Sequence, residues 1–227
     1  MKQLIAILLA LAALANVYAQ VSYGADLGAK SKYTVRGAIY DSNPVVWPDV
    51  WVSAKEYTLT IFANVPTKTL DASGARSTEV DYMVDYKKAV ESTTYGYGAY
   101  LYTYPGEAPL TCAEATASVT QDVAGHLLLG ASGFMDTRNF AYGYLTPSAK
   151  LYGSYKAFTA KAGMSVGFGT VGLQDVASSL ELLYNPPKLS NLTVTLDGHH
   201  SWMPYANAPE GQIHNFMWFG GNIGLAF

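Results

Sequence analysis

The chain has 227 residues, with 14 Lys+Arg against 17 Asp+Glu for a formal net charge of -3, and half of its residues are hydrophobic while only 14% are charged. That charged share lies well below the ~25% of an ordinary soluble domain. With 18 Tyr, 21 Gly and a single Cys, the composition excludes a basic nucleic-acid binder, a disordered chain and a disulfide-stapled scaffold, and leaves a membrane protein allowed.

The first element is an export signal. Lys2 supplies a positive start, residues 4–15 an apolar run, and Val17-Tyr18-Ala19 a small-residue cleavage site. The run is too short for a spanning helix, which needs about 20 apolar residues. Residues 1–19 are therefore expected to be removed, leaving a mature chain from near Gln20 with 13 basic and 17 acidic side chains. No Cys follows the apolar run, which argues against a lipoprotein.

From there the apolar residues recur with period 2, the signature of strands with two different faces. In the first segment Tyr23, Ala25, Leu27, Ala29, Tyr33 and Val35 share one face, and Asp26, Lys30, Lys32, Thr34 and Arg36 the other. Residues 44–54 form a second segment, interrupted by Pro48. Next, Tyr57, Leu59, Ile61, Ala63 and Val65 alternate with Thr58, Thr60, Phe62 and Asn64; then Val80, Tyr82, Val84 and Tyr86 alternate with Glu79, Asp81, Met83, Asp85 and Lys87. Similar dyads cover 95–104, 113–121, 142–152 (interrupted by Pro147), 158–168, 176–184 and 192–200, and a closing segment groups Ile213, Met217, Phe219, Ile223, Leu225 and Phe227. Alternation alone also suits a soluble sandwich. Segments of about 10 residues instead match a tilted membrane strand, whereas soluble strands average nearer 5 or 6.

The connectors add a second asymmetry. Those at 37–43, 66–77, 105–111, 135–139, 169–174 and 202–212 carry Gly, Pro, Asn and Asp, and several are long; those near 55–56, 88–93, 122–125, 153–156 and 185–191 are mostly tight. Short periplasmic turns and longer external loops have this character. The reading is an all-β, transmembrane, antiparallel up-and-down β-barrel of about twelve strands, with both termini periplasmic. Closure follows because an open sheet edge cannot face lipid. Tyr57, Tyr86, Tyr95 and Phe158 near one set of strand ends, and Tyr40, Trp47, Phe140, Phe168 and Trp202 near the other, read as interfacial girdles.

Phe219, Ile223, Leu225 and Phe227 resemble the C-terminal strand of outer-membrane barrels, which the resemblance makes the element read by the barrel-assembly machinery. Ser31-Lys32-Tyr33-Thr34-Val35-Arg36-Gly37 resembles the S-x-Y-x-x-R-G element near the mature start of the TorF (Gcw_chp) family of outer-membrane proteins. Pro44 with the strand through Val50, Glu79-Val80-Asp81-Tyr82, and Tyr102-Thr103-Tyr104-Pro105-Gly106 followed by Glu114 follow that family in order and approximate spacing. The similarity is clearest over residues 24–120. Val35 and the loop position of Cys112 depart from the family pattern. The resemblance implies location and fold rather than an activity.

The dyad phase makes Asp26, Lys30, Lys32, Arg36, Glu79, Asp81, Asp85, Lys87, Glu114, Lys161, Glu181 and Asp197 lumen-lining candidates, with Tyr100, Tyr102 and Tyr104 as an inward ladder. Basic groups concentrate on the first strand and acidic ones on 79–85. Two outcomes stay open: mutual compensation in a hydrogen-bonded interior, or separated positive and negative walls that orient polar solutes. The tyrosines either fill space or stack against flat solutes.

Catalytic signals are weak. His199, His200, His214, Asp197 and Ser201 sketch a Ser-His-acid or metal site, but adjacent His199 and His200 point to opposite faces of a strand. Neither a cofactor nor a metal is expected, no glycine-rich phosphate loop leads into a helix, and the Asn191-Leu192-Thr193 sequon is uninformative in an exported bacterial chain. The expected activity is narrow passive passage of small polar solutes, with lipid of the outer membrane and the assembly machinery as partners and no nucleic acid. The alternatives are a structural or adhesive barrel with an occluded lumen and loop contacts, and less favoured, a rim hydrolase.

Overall fold

A computed structural model describes residues 21–36, 38–68, 78–105, 111–137, 143–170, 172–203 and 215–227. The segment read as an export signal lies outside the described residues, as do His214, Phe140 and Ile213. The strands are β1 Val21–Lys30, β2 Tyr33–Val35, β3 Ala38–Asp41, β4 Val45–Ala54, β5 Tyr57–Pro66, β6 Glu79–Val90, β7 Thr93–Thr103, β8 Cys112–Val123, β9 Leu127–Asp136, β10 Gly143–Tyr155, β11 Phe158–Gly169, β12 Gly172–Tyr184, β13 Leu192–Trp202 and β14 Asn215–Ala226. Twelve of them close one antiparallel barrel, β1 pairing with both β4 and β14, while β2 and β3 form a separate hairpin. Twelve strands about 4.8 Å apart and tilted about 40° make a ring about 24 Å across, backbone to backbone.

Burial is inverted relative to a soluble protein. Among the described residues Asp41, Asn64, Glu79, Asp81, Glu114, Asp136, Asp175 and Ser201 are buried, while Leu27, Val50, Leu145, Leu151, Met164, Leu180, Leu196, Phe219 and Ile223 are each more than half exposed. Water is no partner for such a surface, since a contiguous apolar patch beyond a few hundred Å² is rare on soluble monomers. A bilayer is. The polar residues then face one another across the interior, where they can hydrogen-bond.

The two proline-interrupted segments are full strands. Pro48 lies opposite Leu27 on the β1 side; the missing bridges fall on the β5 side, where the register passes from Val46–Val65 to Asp49–Phe62 without slipping. Pro147 does the same, opposite Ala131 in β9 and skipped between Leu145–Phe168 and Ser148–Ser165 against β11. A proline lacks one donor, so one ladder loses a bond and the opposite ladder keeps its own.

Four tight connectors place a non-glycine residue at positive φ: Lys55 at 54°, Glu91 at 54°, Ala124 at 62° and Lys156 at 53°. This left-handed backbone suits the twist of antiparallel neighbours joined by a short turn. At the closing seam the Tyr23 and Phe227 backbones exchange hydrogen bonds of 3.0 and 2.7 Å, and their rings stack at 5.8 Å. Phe219, Ile223, Leu225 and Phe227 all point outward on the last strand.

Two expectations need correction and a third is narrowed. The first strand does not run on to Arg36: the wall ends at Lys30, and residues 31–44 hold the hairpin, so Tyr33 and Val35 are not on the lipid face. Trp47 is no girdle residue, because it pairs with inward-facing Gly28 and lies inside the barrel. Cys112, expected as a loop or strand-end thiol, opens β8 opposite Tyr102 and takes the strand-end position.

Candidate functional site: the barrel interior

The register places Asp26 and Lys30 of β1, Glu79, Asp81 and Asp85 of β6, Tyr100 and Tyr102 of β7, Glu114 of β8, Lys161 of β11 and Glu181 of β12 on the inner face. Lys161 and Glu181 are cross-strand neighbours joined at 2.5 Å. Tyr100 donates to Asp85 at 2.9 Å and Tyr102 to Glu114 at 3.1 Å, their rings edge-on at 6.4 Å. The tyrosine ladder is thus fastened to the carboxylates beside it.

The hairpin fills part of the mouth. It leaves the wall between β1 and β4 and turns at Arg36, whose φ is 51°. The Arg36 guanidinium donates Nη1 to Glu114 Oε1 at 2.7 Å and Nη2 to Glu114 Oε2. It also lies 4.5 Å from the Phe134 ring and 5.6 Å from that of Tyr144. These residues belong to β8, β9 and β10, and β9 stands six strands from β1 in either direction around the ring. Arg36 therefore spans the lumen. Tyr33 adds a second tie, donating to Glu79 Oε1 at 3.0 Å; burial and the Glu79 carboxylate push its phenol well above the ordinary tyrosine range, so it stays a neutral donor. At the hairpin's exit Asp41 Oδ1 accepts from the Asn43 backbone N–H at 2.8 Å and from its side-chain amide at 3.1 Å, an Asx-type turn into β4.

This geometry corrects the idea of separated positive and negative walls. Arg36 leaves the basic side and neutralises Glu114 on the far side. Lys32 also leaves the wall, donating to the Met217 carbonyl at 3.2 Å. The bidentate fork is the arrangement in which arginine binds a carboxylate most strongly. Local alternation could not reveal it, because Ser31 to Arg36 keeps the dyad phase of the preceding strand.

A second group was not anticipated. Trp47 and Trp51 of β4 lie opposite Gly28 and Gly24 of β1. Lys30 Nζ sits 5.4 Å from the Trp47 ring and 5.2 Å from that of Trp218, and His199 stacks on Trp218 at 3.8 Å with planes 7° apart. The signal was present as period 2 in Trp47, Asp49 and Trp51, against Val46, Val50 and Val52.

Among the described residues, His199, His200, Asp197 and Ser201 do not come together as a catalytic site. His199 faces Asp197 at 3.0 Å on the inner face, whereas His200 bonds Asn215 at 2.5 Å on the outer one, and Ser201 Oγ has no hydrogen-bond partner among the described residues. No cluster of metal-ligating side chains occurs among the described residues.

No protein-family model matches the chain, and no curated protein matches its sequence. Solved structures do match. The KdgM porin is similar with a TM-score of 0.59 at 11% identity, over 90% of this chain and 99% of that one. The NanC porin gives 0.57 at 11% identity, over 90% and 98%. An outer-membrane channel from Pseudomonas putida F1 gives 0.53 at 9% identity, over 93% and 97%. At these identities what is shared is the fold, a closed twelve-stranded antiparallel barrel of the kind that outer-membrane porins adopt.

Proposed function

We propose that the protein is an outer-membrane channel passing small polar solutes through a lumen narrowed by the β2–β3 hairpin. The observation carrying this reading is the hairpin itself. It enters a lumen lined with carboxylates, lysines and tyrosine hydroxyls, and is held there by the Arg36–Glu114 fork and the Tyr33–Glu79 bond. Such a constriction selects by size and polarity, since a solute must exchange its water for these groups. The porin fold of the similar structures supports it, and both termini on the periplasmic side would put the hairpin at the external mouth. Residues 1–19 would serve as the cleaved export signal, and the Ser31 to Gly37 element makes the TorF family our assignment.

The reading favoured second is a barrel closed by the same hairpin, with loops making the contacts; the span from Arg36 to the far wall is the observation behind it. Planar-bilayer recordings of refolded protein separate the two. Reproducible ion-conducting steps support the channel, and a folded barrel that stays electrically silent refutes it. Heat-modifiable gel mobility establishes folding, and recovery of the chain as a soluble periplasmic monomer would overturn the location.

A further inference from the structure

The inner wall formed by β1 and β4 carries two flat indole surfaces. Gly24 faces Trp51 and Gly28 faces Trp47. A Cβ at Gly28 would fall 2.2 Å from Trp47 Cε2, and one at Gly24 would fall 2.5 Å from Trp51 Cζ2. The rings therefore lie down on the wall in space that only glycine leaves open, instead of projecting into the lumen. Both remain partly exposed. Four residues of strand set them about 13 Å apart along the chain.

Between them stand Asp26 and Asp49, directly opposite each other. Asp26 accepts from Trp51 Nε1 at 3.2 Å and from Asn222 at 3.1 Å. Trp47 Nε1 and Asp49 Oδ1 are both buried and have no hydrogen-bond partner among the described residues. Both atoms are shut off from the lumen, so what a ligand meets there is the partly exposed indole faces and the remaining oxygens of the Asp26 and Asp49 carboxylates. A carboxylate accepts from hydroxyls, so a polyhydroxylated ligand suits this pair of aspartates between two indoles.

We propose that Trp47 and Trp51 are stacking platforms for an uncharged oligosaccharide, whose ring faces lie on the indoles and whose hydroxyls donate to the Asp49 and Asp26 carboxylates. The proposal rests on the channel reading and names the solute class. Apolar C–H faces of sugar rings meet the indole π-surface, while equatorial hydroxyls reach the flanking polar groups. Charge selects the neutral ligand: Asp26, Asp49 and Asp197 surround the track against Lys30, so an acidic sugar chain meets net repulsion. Lys30, lying between Trp47 and Trp218, donates to hydroxyls at the mouth end of the track.

The test uses refolded full-length barrel in detergent, titrated with maltohexaose, cellohexaose or a hexameric oligogalacturonate while tryptophan fluorescence is read, and the same sugars added in planar bilayers. At least one uncharged hexasaccharide should bind and reversibly reduce conductance, and the acidic one should bind about tenfold more weakly or not at all. Trp47→Ala and Trp51→Ala should each weaken binding about tenfold, with heat-modifiable mobility unchanged. Gly28→Ala should also weaken it, although it removes no contacting group, because the new methyl displaces Trp47. The proposal is overturned if neither uncharged sugar binds, if the acidic sugar binds equally well, or if the tryptophan variants bind like the parent. A silent barrel that still binds an uncharged hexasaccharide refutes the channel alone, and a conducting barrel that binds neither refutes the platforms alone.

Discussion

Removing the Arg36 guanidinium should release the hairpin from the far wall, and the size of the effect can be worked from its contacts. The side chains of Arg36 and Glu114 are 15% and 8% exposed, so the pair is largely shielded from water. Arg36→Ala leaves the Glu114 carboxylate in place, opposite the buried Asp136 in the register, with Tyr102 still donating to it. Breaking one side of such a pair costs about 3–5 kcal/mol, most of it from the charge left behind. Among the ties that remain, Tyr33 to Glu79 is a hydrogen bond to a charged group and holds about 1.5–3 kcal/mol. A loss of about 3 kcal/mol in docking raises the undocked population on the order of 100-fold. Single-channel recording should therefore show larger and noisier open levels for Arg36→Ala. Because the stranded charge dominates, Glu114→Gln in that background should restore part of the stability: in urea unfolding followed by fluorescence, the double variant should cost at least about 1.5 kcal/mol less than the two singles added. Additivity within about 0.5 kcal/mol, together with parental conductance, would refute the latch.

Three other outcomes are expected. Leu180 is 62% exposed on the outer face, so Leu180→Arg should cost about 2–4 kcal/mol of folding free energy in lipid vesicles, whereas inward Ser179→Arg should cost far less; equal penalties would contradict the assigned faces. Lys156 holds a φ of 53°, so Lys156→Gly should stabilise the barrel by about 1 kcal/mol in urea unfolding, by relieving the left-handed strain that a Cβ imposes. The raised Tyr33 phenol means that the free hairpin loses its proton before the docked one does. Its contribution is complete below about pH 10, the ordinary tyrosine range, and falls as pH rises above it; channel noise should grow at alkaline pH in the parent and not in Tyr33→Phe.

The sequence by itself determined the wall. Period 2 over segments near ten residues, tight turns alternating with longer connectors, and scarce charge placed on one face specify a closed barrel, because each is a local property of consecutive residues and lipid permits no open edge. Even the prolines, which looked disruptive, cost only one ladder each. What the tertiary structure alone decided is what occupies the lumen. Residues 31–36 keep the alternation of the strand before them, so no local pattern distinguishes a strand that stays in the wall from one that turns inward; the choice is made by Glu114, Phe134 and Tyr144, about 80 to 110 positions away and half a barrel distant. Trp47 teaches the same point in the other direction. An aromatic near a strand end suits a membrane interface on composition, and only the register that sets it against Gly28 shows that a glycine-shaped space lies inside. Charge behaves likewise: composition counts the groups and alternation assigns their face, but which cation meets which carboxylate depends on strands far apart in sequence, and so does the path left open for a solute.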